Sequence, residues 1–501
     1  MGEFIIVQVG QCGNQIGGSL WPSILEEYNI SKSDHENFKN GLINASKYCY
    51  EIKESFNSFF DISNVNCNNY SFSNLSDLKR NKVKARAICI DMEEKVVSRF
   101  SKSDLKFLFD KKAIITNYPG SANNWAEGYF SHGSKYKEKI LESIVSCAEG
   151  CDNLHGFVLL YSMGGGTGSG LGSYILEQLE DFFPNIDRFV ACVYSTGSED
   201  VITAPYNMML ATQHLIEYAT CVFPFENRAL QEITTRKNIA CESKFSSISS
   251  PFEDMNSIVV NLLLNITSGS RFTGQMNFDV NAIKTNMVPF PKMHFLSSSF
   301  SPIGINDWPT VSSNSTREKN FLKACSKDNQ MMTFNPLVLK FQNEMLNFEL
   351  FEILFADVGQ AVISGMLLGR GDYTLTDMRK YIKILQKKTP FLDWSDKCVK
   401  MGLCDVPPVG HAFSMLSLFN SSSVINLFDC MSSKFQTLLN KKAHTHHYTS
   451  IEGFDFDFFY ECQNTVADIR EMYEEIKIPD TSTIPRLQPN INYEYKKFEI
   501  E

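Results

Sequence analysis

The sequence predicts an α/β fold in which a doubly wound, mostly parallel sheet is followed by a second α/β domain and a helical C-terminal domain. Short apolar runs alternate with helical patterns over the first half of the chain, and this alternation favours a parallel sheet. Mixed strands and loops follow up to residue 411, and from about residue 424 the pattern is helical. Because ligands bind beyond the carboxyl ends of the strands in such sheets, the loops after the strands are the expected site.

Four apolar runs predict the strands of the first sheet, each followed by a loop and a helical pattern. They are FIIVQV (4–9), ARAICID (85–91), FVLLYSM (157–163) and FVACVYS (189–195). Apolar residues recur at every fourth position after the first and third runs, at Ile16, Leu20, Ile24 and Tyr28 and at Leu171, Ile175, Leu179 and Phe183. Pro22 is expected to kink the first of these helices or to remove one of its hydrogen bonds.

Two segments depart from this alternation. Residues 31–80 are rich in Asn, Ser and Lys and have weak periodicity, which is typical of a long surface insertion. The segment MNSIVVNLLLNI (255–266) has its apolar residues at helical spacing, so it predicts a long buried helix.

Length and composition exclude several classes of protein. The 501 residues suggest two to four domains, and 43% hydrophobic residues are enough to build their cores. The net charge of −10, without a basic block, argues against nucleic acid or an anionic membrane as a partner. No apolar run approaches the roughly 20 residues that cross a bilayer. The 14 cysteines contain no C-x-x-C pair, and the N-terminus has no basic leader, so we expect reduced thiols in a soluble, intracellular protein.

The segment GGGTGSG (164–170) lies between the third predicted strand and its helix. Glycines at such a turn let successive backbone N–H groups converge on a phosphate, and the helix N-terminus adds positive partial charge. The segment lacks the Lys of a Walker A loop, and the dinucleotide pattern G-x-G-x-x-G fails in every register across residues 164–175. A phosphate loop of a third type is therefore predicted, and a nicotinamide-dependent oxidoreductase is disfavoured.

This glycine loop resembles the phosphate-loop signature of the tubulin and bacterial division-ring GTPase superfamily. Further blocks follow in the order of that family: GQCGNQIG (10–17), NNWAEG (123–128), APYN (204–207), NMVPFP (286–291) and KKAHTHHY (441–448). The resemblance covers essentially the whole chain apart from residues 31–80, a looser region near residues 335–360, and the tail. VKARAICIDMEE, SEDVITAPYN, PPVGH and KKAHTHHY are most similar to the epsilon subfamily, and delta-type or divergent β-type chains are the alternatives.

The resemblance implies a tubulin-type GTPase fold with three domains. A GTP-binding domain would span residues 1–228, including the insertion at 31–80. An intermediate domain would span residues 229–423, with a central helix at about 253–267, and a C-terminal helical domain with a helical hairpin would span residues 424–501.

The family's nucleotide site can be carried over residue by residue. The resemblance implies that GTP or GDP contacts Gln11, Cys12, Gln15, Asn123, Ser162, Gly164, Gly165, Gly166, Thr167, Gly168, Asp200, Asn227, Phe252 and Asn256. It also implies that Asp91 and Glu93 hold Mg²⁺, partly through water, which suits the preference of this ion for carboxylates. Residues 120–123 would close over the γ-phosphate.

Particular roles follow for the residues at the base and the sugar. Asn227 and Asn256 would read the guanine edge, because an amide both donates and accepts hydrogen bonds. Phe252 stands where relatives carry a Tyr stacked on the base, so stacking should survive the change. Ala204 replaces a ribose-contacting Glu of β chains.

Hydrolysis in this superfamily is completed in trans, by acids that one subunit presents to the nucleotide of the next. The family pattern Asp-x-x-Glu reads Asp279-Val280-Asn281-Ala282 here. Asp279 is kept as the catalytic candidate toward a neighbour, and Ala282 replaces the general-base-like Glu. We therefore expect weak or partner-dependent GTPase activity.

Two other kinds of site are disfavoured. His444, His446 and His447, with His411 upstream, do not have the spacing of a helical or zinc-finger metal site, so packing or an interface is expected. No G-x-S-x-G elbow supports a hydrolase triad.

The resemblance to the epsilon subfamily implies a guanine-nucleotide-binding cytoskeletal protein that supports centrioles, basal bodies and compound microtubules. Other tubulin chains or centriolar proteins would be its partners, and the cytoplasm, cytoskeleton and centrosome its location. Two alternatives stay open: a polymerising GTPase of delta- or beta-tubulin type, and a centriolar interaction module with a vestigial pocket.

Overall fold

The structure is a computed structural model. It describes residues 2–30, 55–62, 72, 74–195, 201–240, 251–272, 274, 276, 278–301, 361–371, 373–389, 391–395, 398–409 and 413–476.

The described residues contain strands that form two main sheets and one antiparallel pair of short strands. In chain order the strands are β1 (Glu3–Val9), β2 (Phe60–Asp61), β3 (Lys84–Ala85), β4 (Ala87–Asp91), β5 (Ile114–Thr116), β6 (Leu154–Ser162), β7 (Asp187–Tyr194), β8 (Cys221–Glu226), β9 (Leu296–Ser301), β10 (Val362–Gly371), β11 (Lys400–Cys404) and β12 (Phe413–Ser421).

Helices connect these strands and cover their faces. In chain order they are α1 (Gly10–Glu27), α2 (Leu75–Arg80), α3 (Glu94–Lys102), α4 (Ser134–Glu149), α5 (Gly172–Phe182), α6 (Ala204–Tyr218), α7 (Asn227–Ala240), α8 (Pro251–Arg271), α9 (Val280–Met287), α10 (Leu375–Lys388), α11 (Val424–Asn440), α12 (His446–Thr449) and α13 (Asp457–Glu475). None of the described helices is both long enough and apolar enough to cross a membrane.

The first sheet has the order β5-β4-β1-β6-β7-β8, and all of its strand pairs are parallel. The predicted doubly wound parallel sheet is therefore confirmed. The chain first builds outward from β1 on one side and then from β6 on the other, so the strand order reverses between β1 and β6. A crevice opens at the carboxyl ends of two such strands, because their connecting helices lie on opposite faces.

Alternate residues of β1 point into two different cores, as the twofold period of a strand requires. Phe4 and Ile6 pack with α1 and α8, whereas Ile5 and Val7 pack on the opposite face. Every residue of β1 is buried, because helices cover both faces of the sheet. Helix α1 continues through Pro22 to Glu27, so the proline does not end the helix.

The interpretation of residues 31–80 as a surface insertion is wrong for two parts of that segment. Phe56 and Phe60 are buried, and their rings stack 4.4 Å apart. Phe60 also lies edge-on to Trp21 of α1, and Leu78 of α2 is completely buried. These side chains belong to the core on the α1 face. The sequence did not reveal this, because the buried residues are widely spaced and follow no local period. Residues 31–54 lie outside the described residues.

The second sheet has the order β11-β10-β12-β9 and is mixed, since β10 pairs with β11 in parallel and with β12 antiparallel. Helix α8 packs against α1 and also against strands of the second sheet. It contains the long buried helix expected at residues 255–266. Helices α11 and α13 pack against each other and against α6.

A buried ion cluster joins these units. The carboxylate of Glu27, at the end of α1, lies 2.5 Å from a guanidinium nitrogen of Arg271 and 2.5 Å from one of Arg370. Arg271 ends α8 and Arg370 lies in β10. Burial opposes ionisation of Glu27, but the two arginine charges outweigh it and lower the pKa of this carboxyl. The cluster therefore fixes α1, α8 and the second sheet to one another.

Candidate functional site

A cleft of about 530 Å³ opens at the carboxyl ends of the central strands of the first sheet. All the predicted nucleotide and metal residues that the structure describes line it: Gln11, Cys12, Gln15, Asp91, Glu93, Asn123, Ser162, Gly164, Gly165, Gly166, Thr167, Gly168, Asn227, Phe252 and Asn256. Asp200 lies outside the described residues. The cleft thus brings together residues that are up to 245 positions apart in the chain, from Gln11 to Asn256.

Two glycine-containing turns form the floor of the cleft, and they approach each other closely. Gly10, between β1 and α1, has a φ of +70°, and a Cβ there would lie 3.0 Å from the backbone nitrogen of Gly168. A Cβ on Gly166 would lie 2.5 Å from the nitrogen of Asn124. These positions need glycine because backbone, not a movable side chain, fills the space. The floor therefore presents backbone N–H groups and two helix N-termini, which is an arrangement that binds anions.

A loop at residues 120–125 reaches the cleft, which its Asn123 lines. Its Ser121 hydroxyl lies 3.0 Å from the Thr167 hydroxyl of the glycine loop. Ala122 and Asn123 have φ values of 46° and 56°, which is the left-handed region that non-glycine residues rarely adopt. Such strained residues persist only where surrounding contacts hold them, and they are concentrated at functional sites.

Asp91, at the end of β4, is a buried carboxyl with one unpartnered oxygen. Its Oδ1 accepts a 3.3 Å hydrogen bond from the backbone N–H of Glu93, while its Oδ2 has no partner among the described residues. Burial raises the pKa of Asp91 to about 7, and the charge of Glu93 contributes in the same direction. A divalent cation would supply the missing partner. The two carboxylates therefore fit Mg²⁺, which binds to one or two acids together with water and phosphate oxygens.

Three other lining residues offer an aromatic ring and amides. Phe252 is 60% exposed, and the amide side chains of Asn227 and Asn256 line the same cleft. An exposed aromatic face beside two amides can receive a flat heteroaromatic ring and hydrogen bond to its edge.

Sequence reasoning missed several residues that also line the cleft: Val193, Ser195, Val201, Arg228, Leu230, Gln231, Met255 and Val259. Helical spacing could have identified some of them, because Gln231 and Met255 lie one turn from Asn227 and Phe252, respectively.

Asp279 does not line this cleft. It immediately precedes α9, where its Oδ1 lies 3.0 Å from Nδ1 of His155 and accepts a 3.0 Å hydrogen bond from the Ser270 hydroxyl. Burial opposes ionisation of Asp279, but its contacts with His155 and Ser270 lower the pKa of the carboxyl overall. His155 is at the amino end of β6, roughly 23 Å of extended strand from the glycine loop. Asp279 therefore lies at the amino ends of the strands, opposite to the cleft.

Ala282 follows Asp279 by one helical turn. Its methyl group packs against the core on the α1 face, and no carboxylate stands one turn after Asp279.

The histidines near the C-terminal helices do not form a metal site among the described residues. The rings of His446 and His447 lie 3.9 Å apart, and His411 is outside the described residues. No group of three potential metal ligands occurs in the part of the chain that the structure describes.

Comparisons with known proteins agree along nearly the whole chain. A model of the Tubulin/FtsZ family, GTPase domain, matches residues 3–235, and a model of the Tubulin C-terminal domain matches residues 291–433. The chain is 36% identical to the human tubulin epsilon chain, covering 97% of this chain and 99% of that one. It is 36% identical to the mouse tubulin epsilon chain, covering 97% and 98%, and 27% identical to the human tubulin beta-1 chain, covering 95% and 94%.

Proposed function

The chain belongs to the tubulin family of GTPase-domain cytoskeletal proteins, and we propose that it is an epsilon-type member that binds GTP with Mg²⁺ and supports centrioles and basal bodies. The cleft carries this proposal, because it is lined by every described residue that the resemblance assigns as a contact of GTP or GDP or as a holder of Mg²⁺. The identity to two tubulin epsilon chains supports the subtype.

Each part of the cleft would hold one part of the nucleotide. The glycine loop and the N-terminal end of α1 would bind the phosphates through backbone N–H groups and the helix dipole. Phe252 would stack on the base while Asn227 and Asn256 bind its edge. Asp91 and Glu93 would hold Mg²⁺, which neutralises phosphate charge when bound. Loop 120–125 would close over the terminal phosphate.

Hydrolysis would depend on a neighbouring subunit. Asp279 lies at the end of the strands opposite to the cleft. In a head-to-tail pair, Asp279 of this chain would therefore face the nucleotide bound in the neighbour's cleft. With Ala282 one turn later, no second carboxylate positions water there. This chain would therefore stimulate a neighbour's hydrolysis weakly, and its own GTP would persist until another subunit docks on its cleft.

The first test is to purify the full chain, denature it and identify the released nucleotide by chromatography. Stoichiometric GTP is expected. Mostly GDP would show that hydrolysis proceeds despite Ala282 and would favour a polymerising GTPase, whose turnover should rise steeply with protein concentration. No bound nucleotide, even after GTP and Mg²⁺ are added, would contradict the proposal and favour an interaction module. Imaging of the tagged chain in cells tests the cellular role. The proposal requires that the tagged protein accumulates at centrioles.

A further inference from the structure

Asn207, in the first turn of α6, is a completely buried side chain that contacts three separate segments near the cleft. Its amide nitrogen donates hydrogen bonds to the backbone oxygens of Asn123, at 2.8 Å, and Gly164, at 2.9 Å. Its amide oxygen accepts from the backbone N–H of Trp125, at 3.0 Å, and from the hydroxyl of Tyr448, at 2.6 Å. Two donors and two lone pairs are all that an Asn side chain offers, so its bonding capacity is fully used.

The orientation of this amide follows from its partners. The backbone N–H of Trp125 can only donate, and the carbonyl of Gly164 can only accept. A flipped amide would place donor against donor and acceptor against acceptor, which would leave buried polar groups unpaired. Asn207 therefore has one stable arrangement, and that arrangement sets the separation of the segments that it joins.

Two of those segments form the phosphate end of the cleft. Gly164 begins the glycine loop, while Asn123 and Trp125 belong to loop 120–125. Thr203 makes a second tether, because its hydroxyl donates to the oxygen of Asn123 at 2.9 Å. The left-handed conformation of Asn123 is held by these bonds. The position of loop 120–125 relative to the glycine loop, which is where a terminal phosphate would lie, thus depends on Asn207.

The third segment, Lys441–Thr449, is on the outside of the molecule. The side chains of Lys441, Lys442, His446 and His447 are exposed, and Lys442 and His444 have φ values of 49° and 60°. Loop 120–125 reaches this segment a second time, through Asn124, whose amide donates to the oxygen of His447 at 2.8 Å. A shift of loop 120–125 would therefore move an exposed surface.

We propose that Asn207 is a positioning residue that sets loop 120–125 for a terminal phosphate and, through Tyr448, transmits the number of phosphates in the cleft to the exposed segment Lys441–Thr449. The inference rests on the proposed nucleotide function. The inference goes beyond that function because it names two things: the residue that lets the cleft discriminate between a triphosphate and a diphosphate, and the surface that responds.

The experiment compares the full-length protein with Asn207→Ala and Tyr448→Phe, using GTP, GDP and slowly hydrolysed GTPγS with Mg²⁺. Asn207→Ala should lower the ratio of GTPγS affinity to GDP affinity on the order of tenfold, since loop 120–125 loses two of its tethers. Equal losses of both affinities would show a merely structural role and would overturn the proposal.

Tyr448→Phe removes one hydroxyl and keeps the ring, so this variant can carry the test if Asn207→Ala does not fold. It should retain both affinities while the difference in hydrogen exchange at residues 441–449 between the GTPγS and GDP states becomes smaller than in the wild type, since only the Asn124 bond to His447 still joins loop 120–125 to this segment. The matched control is Tyr194→Phe, whose buried hydroxyl lies 3.0 Å from that of Thr212 and contacts none of these segments. That control should keep the difference.

The outcomes separate the two proposals. A wild-type chain that binds neither nucleotide refutes the proposed function. A wild-type chain that binds both, with identical exchange at residues 441–449 in the two states, or a Tyr448→Phe variant that keeps the full wild-type difference, refutes this inference alone.

Discussion

The two ends of helix α1 each lie close to a buried carboxyl, and the two carboxyls have opposite surroundings. Near the amino end, Asp91 has an oxygen without a partner among the described residues, and burial raises its pKa to about 7. At the carboxyl end, Glu27 is held by Arg271 and Arg370, and its pKa is lowered. Burial is similar, so the difference comes from the partners. An incompletely paired acid indicates a place for a ligand, whereas a fully paired acid indicates architecture.

The largest expected effect comes from breaking the paired end. Glu27→Gln would leave the buried guanidinium groups of Arg271 and Arg370 without a counter-ion, and we expect a loss of about 3–5 kcal/mol in the free energy of unfolding. Urea unfolding at neutral pH measures it. The control, Glu232→Gln, breaks an exposed ion pair with Arg228 and should cost less than about 1 kcal/mol. Similar losses of unfolding free energy in the two variants would contradict the conclusion that Glu27 is a structural acid.

A smaller effect of opposite sign is expected at the unpaired end. Because the folded-state pKa of Asp91 is raised above its ordinary 3.8 to about 7, the unfolded chain ionises first and stability falls as pH rises between these values. Asp91→Asn removes this penalty, so nucleotide-free protein should gain at most about 4 kcal/mol above pH 7 and less at pH 5. Urea titrations at the two pH values, with the exposed Glu94→Gln as control, measure the gain.

The same Asp91→Asn variant should lose affinity for nucleotide specifically in the presence of Mg²⁺, because one carboxylate ligand is gone. Calorimetric titration of GTPγS with Mg²⁺ and with EDTA checks this. Unchanged dependence on Mg²⁺ would show that Asp91 does not hold the ion.

The smallest effect is expected at the base end of the cleft. Phe252→Ala should weaken nucleotide binding about fivefold, since aromatic stacking contributes roughly 0.5–1.5 kcal/mol, while Phe252→Tyr should bind like the wild type. Phe290→Ala, at another exposed phenylalanine that does not line the cleft, is the control. Fluorescence titration with a labelled guanine nucleotide distinguishes the three, and equal affinities in all of them would remove Phe252 from the site.

Much of the first sheet could be predicted because its signals are local. The apolar run at residues 4–9 and the fourfold spacing from Ile16 to Tyr28 each reflect the geometry of one element, whatever its surroundings. The glycine loop was equally readable, since a dense run of glycines between a strand and a helix has a specific backbone use. The resemblance to the family then predicted that Asp91 and Asn256 share one site, which no local sequence pattern could have predicted.

Contacts between distant segments were decided only by the tertiary structure. Phe56 and Phe60 look like part of a polar insertion in sequence, yet they are core residues because α1 offers them an apolar face. Glu27 meets Arg271 and Arg370 across 244 and 343 positions, and Asn207 meets Tyr448 across 241.

The sequence by itself therefore determined four strands of the first sheet, the helices that follow two of them, the helix at residues 255–266 and the chemistry of the phosphate loop, because the spacing of neighbouring residues encodes them. The tertiary structure alone decided which buried polar groups find partners. Charge and hydrogen-bond complementarity depend on distances in space, and those distances exist only once the sheet, α1 and α8 have packed together.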